Sequence, residues 1–290
     1  MYSYALSLSY RLAEDPAWLE AVKRSKVRKF EFGAVGSDPP EAYAKAVDNL
    51  LAAAEAIGIQ AASVHIPFGA TPWVAAREGE RAEALAALRG LMKAWAPLRP
   101  PRYTLHGGTE ADKDVPHKDQ IRALRAFLEE ILPDVEEAGT SLNIEYLPRT
   151  CLGNTPDELE EIVDGFPPDR IGICLDVNHA SPRTEMMPEL IRRLGPRINS
   201  FHISDTDGVD ECHWFPGFGI VDWPACMGEI RALERDVLLI LEVTGVPFPN
   251  WQEAWHHNDR SSDLAAMERN VLFLENAEEF TRRRADLQIP

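Results

Sequence analysis

Cysteine is scarce and scattered. The 290 residues hold four, Cys151, Cys174, Cys212 and Cys226. They show no framework spacing, and a chain of this length needs no covalent staples. Their expected state is the reduced thiol of a cytoplasmic protein. Long apolar runs are also missing, since no stretch approaches the roughly 18 apolar residues of a membrane span. The opening stretch, MYSYALSLSYRLAEDPAW, has no basic segment leading into a long apolar one. Neither export nor membrane insertion is expected. Basic residues are in deficit: 30 Lys and Arg against 47 Asp and Glu give a formal charge of −17. Such a balance repels polyanions and argues against nucleic-acid and anionic-membrane partners. No Gly-rich dinucleotide fingerprint follows the first candidate strand, and no repeat, low-complexity tract or linker divides the chain.

What is present is a regular alternation. Short apolar runs predict strands at Tyr4 to Ser9, Lys29 to Phe32, Ala61 to Ile66, Arg102 to His106, Leu142 to Leu147, Ile171 to Val177, Ile198 to Ser204 and Leu238 to Val243. Amphipathic runs lie between them, clearest at Glu41 to Ala56 and Asp119 to Glu137. Asn154-Thr155-Pro156-Asp157 reads as a helix start, a cap followed by Pro and an acid. The stretch from Val246 to His257 reads as a loop after the last strand. Eight strand–helix units over 290 residues, with 45% hydrophobic content, predict one α/β domain, a (β/α)8 barrel spanning residues 1–290.

The polar residues fall at the strand ends. His65 follows the apolar lead of the third strand, His106 that of the fourth and Glu145 that of the fifth. The sixth ends in Asp176 with His179 beyond it, the seventh in His202 with Asp205 beyond, and the eighth in Glu242. In a closed barrel these ends share one face, the face that carries the active site. Glu145, Asp176 and Glu242 would then crowd together. Each like-charged pair at about 4 Å costs roughly 4 kcal/mol at an effective dielectric of 20. Either some carboxyls keep their protons or a cation sits among them, and the neighbouring histidines favour the cation. A carboxylate–imidazole set suits Mn, Co, Zn, Fe or Mg.

Each residue also has a plainer reading. Glu145 and Glu242 could be strand-end acids in ion pairs, Asp176 a turn cap and His202 a satisfied core histidine. His65, His106 and His179 serve equally well as metal ligands and as substrate contacts or supports for a ligand, and His213 has a functional and a structural reading. Glu31 could reach the barrel mouth or pair with a Lys or Arg below it. Asp205 could orient His202 or cap its segment. Cys174 reads as core packing. Phe68, Trp73, Trp214, Phe215 and Phe218 sit in loops after strands, where they would cover the C–H faces of a substrate or anchor helices. Gly217 and Gly219 read as a tight turn. His117, His256 and His257 read as solvent-facing.

The segments LDVNHA, FHISDTDG with HWFPGFGIVDW, IEYLP and LEVTG carry a resemblance over nearly the whole chain. The sequence resembles the xylose-isomerase-like barrel superfamily. That group includes sugar epimerases and isomerases, hydroxypyruvate isomerases, inosose dehydratases and the type IV apurinic endonucleases. The resemblance implies a single divalent metal held by Glu145, Asp176, His202 and Glu242, with the two glutamates also exchanging protons with the substrate. It implies a substrate contact at His179, and His65, His106 and His213 are further candidates for substrate binding. The endonuclease branch adds histidines matched by His65 and His106, but its Asp-x-His pair is here Glu211-Cys212-His213. The expected function is a metal-dependent isomerase or epimerase of a small carbohydrate. A keto-polyol dehydratase, an endonuclease-like phosphodiesterase and a non-catalytic sugar-binding barrel are the alternatives. The phosphodiesterase is disfavoured by charge, and the binding barrel by the retained glutamate pair. A homo-oligomer is left open.

Overall fold

The strands follow the predicted runs because β-branched and aromatic residues fill them, and the structure closes them into a ring. A computed structural model describes residues 2–9, 12–35, 40–68, 78–108, 115–209, 211–243 and 260–279. Its strands are β1 (Tyr2–Ser9), β2 (Lys29–Val35), β3 (Gln60–Phe68), β4 (Arg102–Leu105), β5 (Ser141–Glu145), β6 (Ile171–Asp176), β7 (Ile198–Ile203) and β8 (Val237–Leu241). The helices are α1 (Pro16–Arg24), α2 (Pro40–Ile57), α3 (Glu78–Trp95), α4 (His117–Glu137), α5 (Pro156–Val163), α6 (Met187–Leu194), α7 (Trp223–Ala232) and α8 (Arg260–Glu275). All eight strands are parallel, and β1 pairs with both β2 and β8, so the sheet is a closed barrel in sequence order. This is the (β/α)8 architecture that the alternation predicted. No helix among the described residues is long and apolar enough to cross a membrane.

The elements start where local chemistry says they should. Thr155 caps α5 by accepting from the Glu158 amide, with Pro156 in the first turn. Asp15 caps α1 and Asp222 caps α7 in the same way. The later strands stop one or two residues short of the apolar runs. Beyond them the backbone makes single rungs, as where Glu242 N–H donates to the Ile203 carbonyl at 3.2 Å. Val246 to His257, with Trp73, lie outside the described residues, and so does the side chain of Phe68.

Two extra residues decide what faces the lumen. Between the pairs Phe30–Ala61 and Glu31–Ser63, β3 carries one additional residue, Ala62. Between Ile173–Ile198 and Cys174–Ser200, β7 carries Asn199. Side chains alternate with period two, so each bulge switches the face of everything after it. From there on, registered neighbours put Glu31, Ser63, His65, Thr104, Asn143, Glu145, Cys174, Asp176, Ser200 and His202 on the inner face. Ala5, Ala62, Leu238 and Ile240 form a small separate apolar cluster. The main core, with Phe30, Phe32, Trp95, Phe127 and Phe201 fully buried, packs between strands and helices.

Candidate active site

The inner-face residues at the C-terminal strand ends meet at one point. One ligand atom each from Glu145, Asp176, His202 and Glu242 lie within 4.8 Å of one another. His202 is central and fully buried. Its Nδ1 is 3.1 Å from Glu242 Oε2, 3.2 Å from Glu145 Oε1 and 3.7 Å from Asp176 Oδ2. Asp176 Oδ1 accepts the Asn178 amide at 2.7 Å, but Oδ2 is buried with no hydrogen-bond partner. A buried carboxylate oxygen without a hydrogen bond is costly, and here it faces His179 Nδ1 at 3.3 Å, His202 Nδ1 at 3.7 Å and two other carboxylates. That donor set fits a divalent cation.

The other histidines ring this group. His65 Nε2 and His106 Nε2 lie 3.1 and 3.0 Å from the same oxygen, Glu145 Oε2. His65 Nδ1 also donates to the Ile66 carbonyl at 2.9 Å, so both of its ring nitrogens are engaged. His179 Nδ1 donates to the Tyr146 carbonyl at 2.9 Å, while Nε2 is 3.9 Å from Glu211 Oε2. His213 adopts φ 47, a left-handed backbone that a side chain adopts only under local constraint. Its Nδ1 lies 3.3 Å from both Ser204 Oγ and the Glu242 carbonyl. The sequence candidates thus all reach the mouth.

The charges are mutually stabilising. Burial raises the Glu145 carboxyl, but His106 and His202 overcome it and hold the group well below the carboxylate range. Burial likewise opposes His202 and His213 at Glu242, and the histidines win. Burial would lower His65, yet the Glu145 hydrogen bond and charge raise it to about 9. His202 is held well above the usual histidine value, against burial, by Cys174, Glu242, Glu31 and Glu145. Burial pushes the Cys174 thiol up to about 11. None of the four cysteines is in a disulfide.

Three outlying residues take definite places. Glu31 is fully buried and meets His202 Nε2 at 3.0 Å, so it reaches the site and does not pair with a Lys or Arg. An acid between two phenylalanines in KFEFG was the signal for it. Asp205 does not touch His202. Its two oxygens accept from the Thr206, Val221 and Gly217 amides and from the Trp223 indole, at 2.8 to 3.1 Å. The Asp205 backbone also pairs with that of Trp214. Asp205 therefore anchors the loop that carries His213. Gly217 has φ 93, and a Cβ on Gly219 would collide with the Thr206 carbonyl and the Asp205 carboxylate, so the turn reading of both glycines holds. His117 pairs with Glu158 at 2.9 Å with half its side chain exposed, and His256 and His257 lie outside the described residues. Phe215 is buried and Phe218 is exposed.

Fold and mouth together define a class: (β/α)8 barrels whose C-terminal strand ends gather carboxylates and histidines. Within it the chain belongs to the xylose isomerase-like TIM barrel family, whose model matches residues 19–264. An uncharacterized protein of Methanocaldococcus jannaschii is 28% identical over 119 residues, 40% of this chain and 41% of that one. Among solved structures, a D-tagatose 3-epimerase-like protein has a TM-score of 0.72 at 19% identity, covering 94% of this chain and 98% of its own. The D-psicose 3-epimerase of Clostridium cellulolyticum H10, solved with D-tagatose, has a TM-score of 0.69 at 16% identity, covering 97% and 98%. The IOLI protein with a binding zinc atom has a TM-score of 0.73 at 16% identity, covering 94% and 98%. At such identities the likeness is one of fold.

Proposed function

We propose that the protein is a metal-dependent isomerase or epimerase of a small sugar, keto-sugar or polyol, acting by proton transfer through an enediolate. The observation that carries this is the placement of Glu145 and Glu242. They end β5 and follow β8, three strands apart, and flank Asp176 and His202 from opposite sides. A substrate seated over the centre would meet one carboxylate on each side, the arrangement that two-sided proton transfer requires. The epimerases and the zinc-bearing protein of the same fold support the reading.

Glu145, Asp176, His202 and Glu242 would hold the cation. When bound, it supplies Lewis acidity to a substrate carbonyl and the adjacent hydroxyl. One glutamate takes a proton from the carbon beside the carbonyl, and the other returns one, to the opposite face or to the neighbouring carbon. His106, His179 and His213 retain 18%, 8% and 21% side-chain exposure and orient substrate hydroxyls. His65, with both nitrogens occupied, holds Glu145.

Metal-loaded protein incubated with a panel of ketoses and inososes in deuterated water tests the reading. Deuterium should appear at the carbon beside the carbonyl, and product analysis separates isomerisation from loss of water. Glu145→Gln and Glu242→Gln, each saturated with metal, should be slower by about 10²–10⁴-fold. Asp176→Asn should recover in excess metal. Near-wild-type turnover by both metal-saturated Gln variants would remove the glutamates from the proton transfer.

A further inference from the structure

We propose that Glu31 is a positioning residue for the cation, fixing the His202 ring so that Nδ1 faces the three carboxylates. The inference rests on the metal reading of Glu145, Asp176, His202 and Glu242. Glu31 stands on β2 and His202 on β7, three strands away round the closed barrel, so their contact spans the lumen. Glu31 Oε1 lies 3.0 Å from His202 Nε2, and both side chains are without exposure. The opposite edge of the ring carries Nδ1, with Glu242, Glu145 and Asp176 at 3.1 to 3.7 Å. Glu31 thus acts through His202 and lies on the far side of the ring from the buried Asp176 Oδ2.

Glu31 is itself held in place. Thr104 Oγ1 donates to Oε2 at 3.1 Å, and Ser63 Oγ lies 3.5 Å from Thr104 Oγ1. The Ala62 bulge is what sets Ser63 in register with Glu31. An imidazole that gives its Nδ1 lone pair to a cation must carry its hydrogen on Nε2. A carboxylate at Nε2 selects that tautomer, fixes the ring plane and makes the ring a stronger donor. A structural bond to a ring N–H needs only a neutral acceptor. A buried carboxylate carries a large desolvation cost, and strengthening a cation's ligand is the return that a neutral group could not give.

The test uses the full chain stripped of metal, with Zn²⁺ alone as the probe in competition with a chromophoric chelator. Wild type should bind, and Asp176→Ala should not. Glu31→Ala should weaken Zn²⁺ binding by about 10–100-fold. Glu31→Gln should fall between, because its amide oxygen still accepts the N–H without the charge. Thr104→Val, close in shape, should lose a few-fold by leaving Glu31 less fixed. Nitrogen-15 histidine spectra of the Zn²⁺-loaded wild type should show His202 protonated at Nε2, with slow exchange that is lost in Glu31→Ala. Binding by both Glu31 variants as tight as wild type, with Asp176→Ala inactive, would overturn the role of Glu31 and leave the metal site standing. Wild type that binds no Zn²⁺, or Asp176→Ala that binds as well as wild type, would bring down the metal reading and this inference together. If Glu31→Ala does not fold, the Gln and Val variants decide, and unchanged affinity in both is refuting.

Discussion

Loading the site with a divalent cation should expel protons, and the structure gives the number. In the metal-free chain His202 is held well above the ordinary histidine value, by Cys174 and the surrounding carboxylates, and His65 at about 9 by carboxylates, both against burial. At pH 7.5 a group titrating near 9 is about 97% protonated, so the His65 ring is charged, and His202 is shifted in the same direction. A cation on His202 Nδ1 displaces the proton there. It also shares the charge of Glu145, which is what holds the proton on His65. Between one and two protons should therefore leave per cation bound. Affinity should rise by roughly one to two decades per pH unit, with the His65 share fading above about pH 9. Stability should follow the opposite course in the metal-free protein. The folded-state value of His65 lies above its unfolded 6.5, so its contribution is complete below pH 6.5 and is lost as pH rises through about 9. The size is about 3 kcal/mol by the linkage constant. Glu145 and Glu242 are shifted down, so their contribution is present above pH 4.5 and is lost as pH falls toward their lower values. Calorimetric titration with Zn²⁺ in two buffers of different ionisation enthalpy measures the protons released. Melting curves with and without metal from pH 6.5 to 9 measure the rest. Tight binding with no proton release at pH 7.5 would refute the protonated cluster.

The anchor of the seventh loop should be separable from the chemistry. Asp205→Ala strands three amides and an indole N–H, and should cost at least about 2 kcal/mol in thermal denaturation while speeding proteolysis between residues 206 and 221. Gly219→Ala should destabilise the same loop, because its Cβ has nowhere to go, and an unchanged melting temperature would show that the loop yields. A labelled abasic duplex should survive Zn²⁺-loaded protein uncut, given the formal charge of −17. Incision abolished by His65→Ala and His106→Ala would instead favour the phosphodiesterase.

The barrel was legible because its signal is repeated eight times, and an error at one strand leaves seven to set the period. The strand ends were legible to within three residues because an apolar run terminating in an acid or histidine marks where the sheet face meets the mouth. What could not be read was the partner of each residue. Glu31 stands in the middle of an apolar strand, and whether it turns to the helices or to the lumen depends on strand closure across the barrel. Asp205 follows His202 by three residues, and only the chain's return at Gly217 to Trp223 shows that it grips a loop and not a ring. Ser63 and Thr104 gave no signal at all. Hydroxyls are ordinary in strands, and it takes the bulge at Ala62 to bring Ser63 level with Glu31.

The two glutamates, equivalent in sequence as acids at strand ends, are unequal in the fold. Glu145 still belongs to the ladder of β5, with 1% of its side chain exposed and both oxygens engaged, one by His65 and His106, the other by His202. Glu242 lies one residue past the end of β8, on a single backbone rung to Ile203, and keeps 29% of its side chain exposed. The difference follows from position. Neighbouring strands on both sides bring histidines to Glu145, whereas β8 borders β1, whose inner face is contributed by Ala5 and serines. A proton taken by Glu242 is therefore open to exchange with solvent, and a proton taken by Glu145 enters a network of imidazoles of which His106 is the most exposed, at 18%. The pair is built as an inner and an outer carboxylate. A two-sided proton transfer run by them would keep memory of one face of the substrate and lose it for the other.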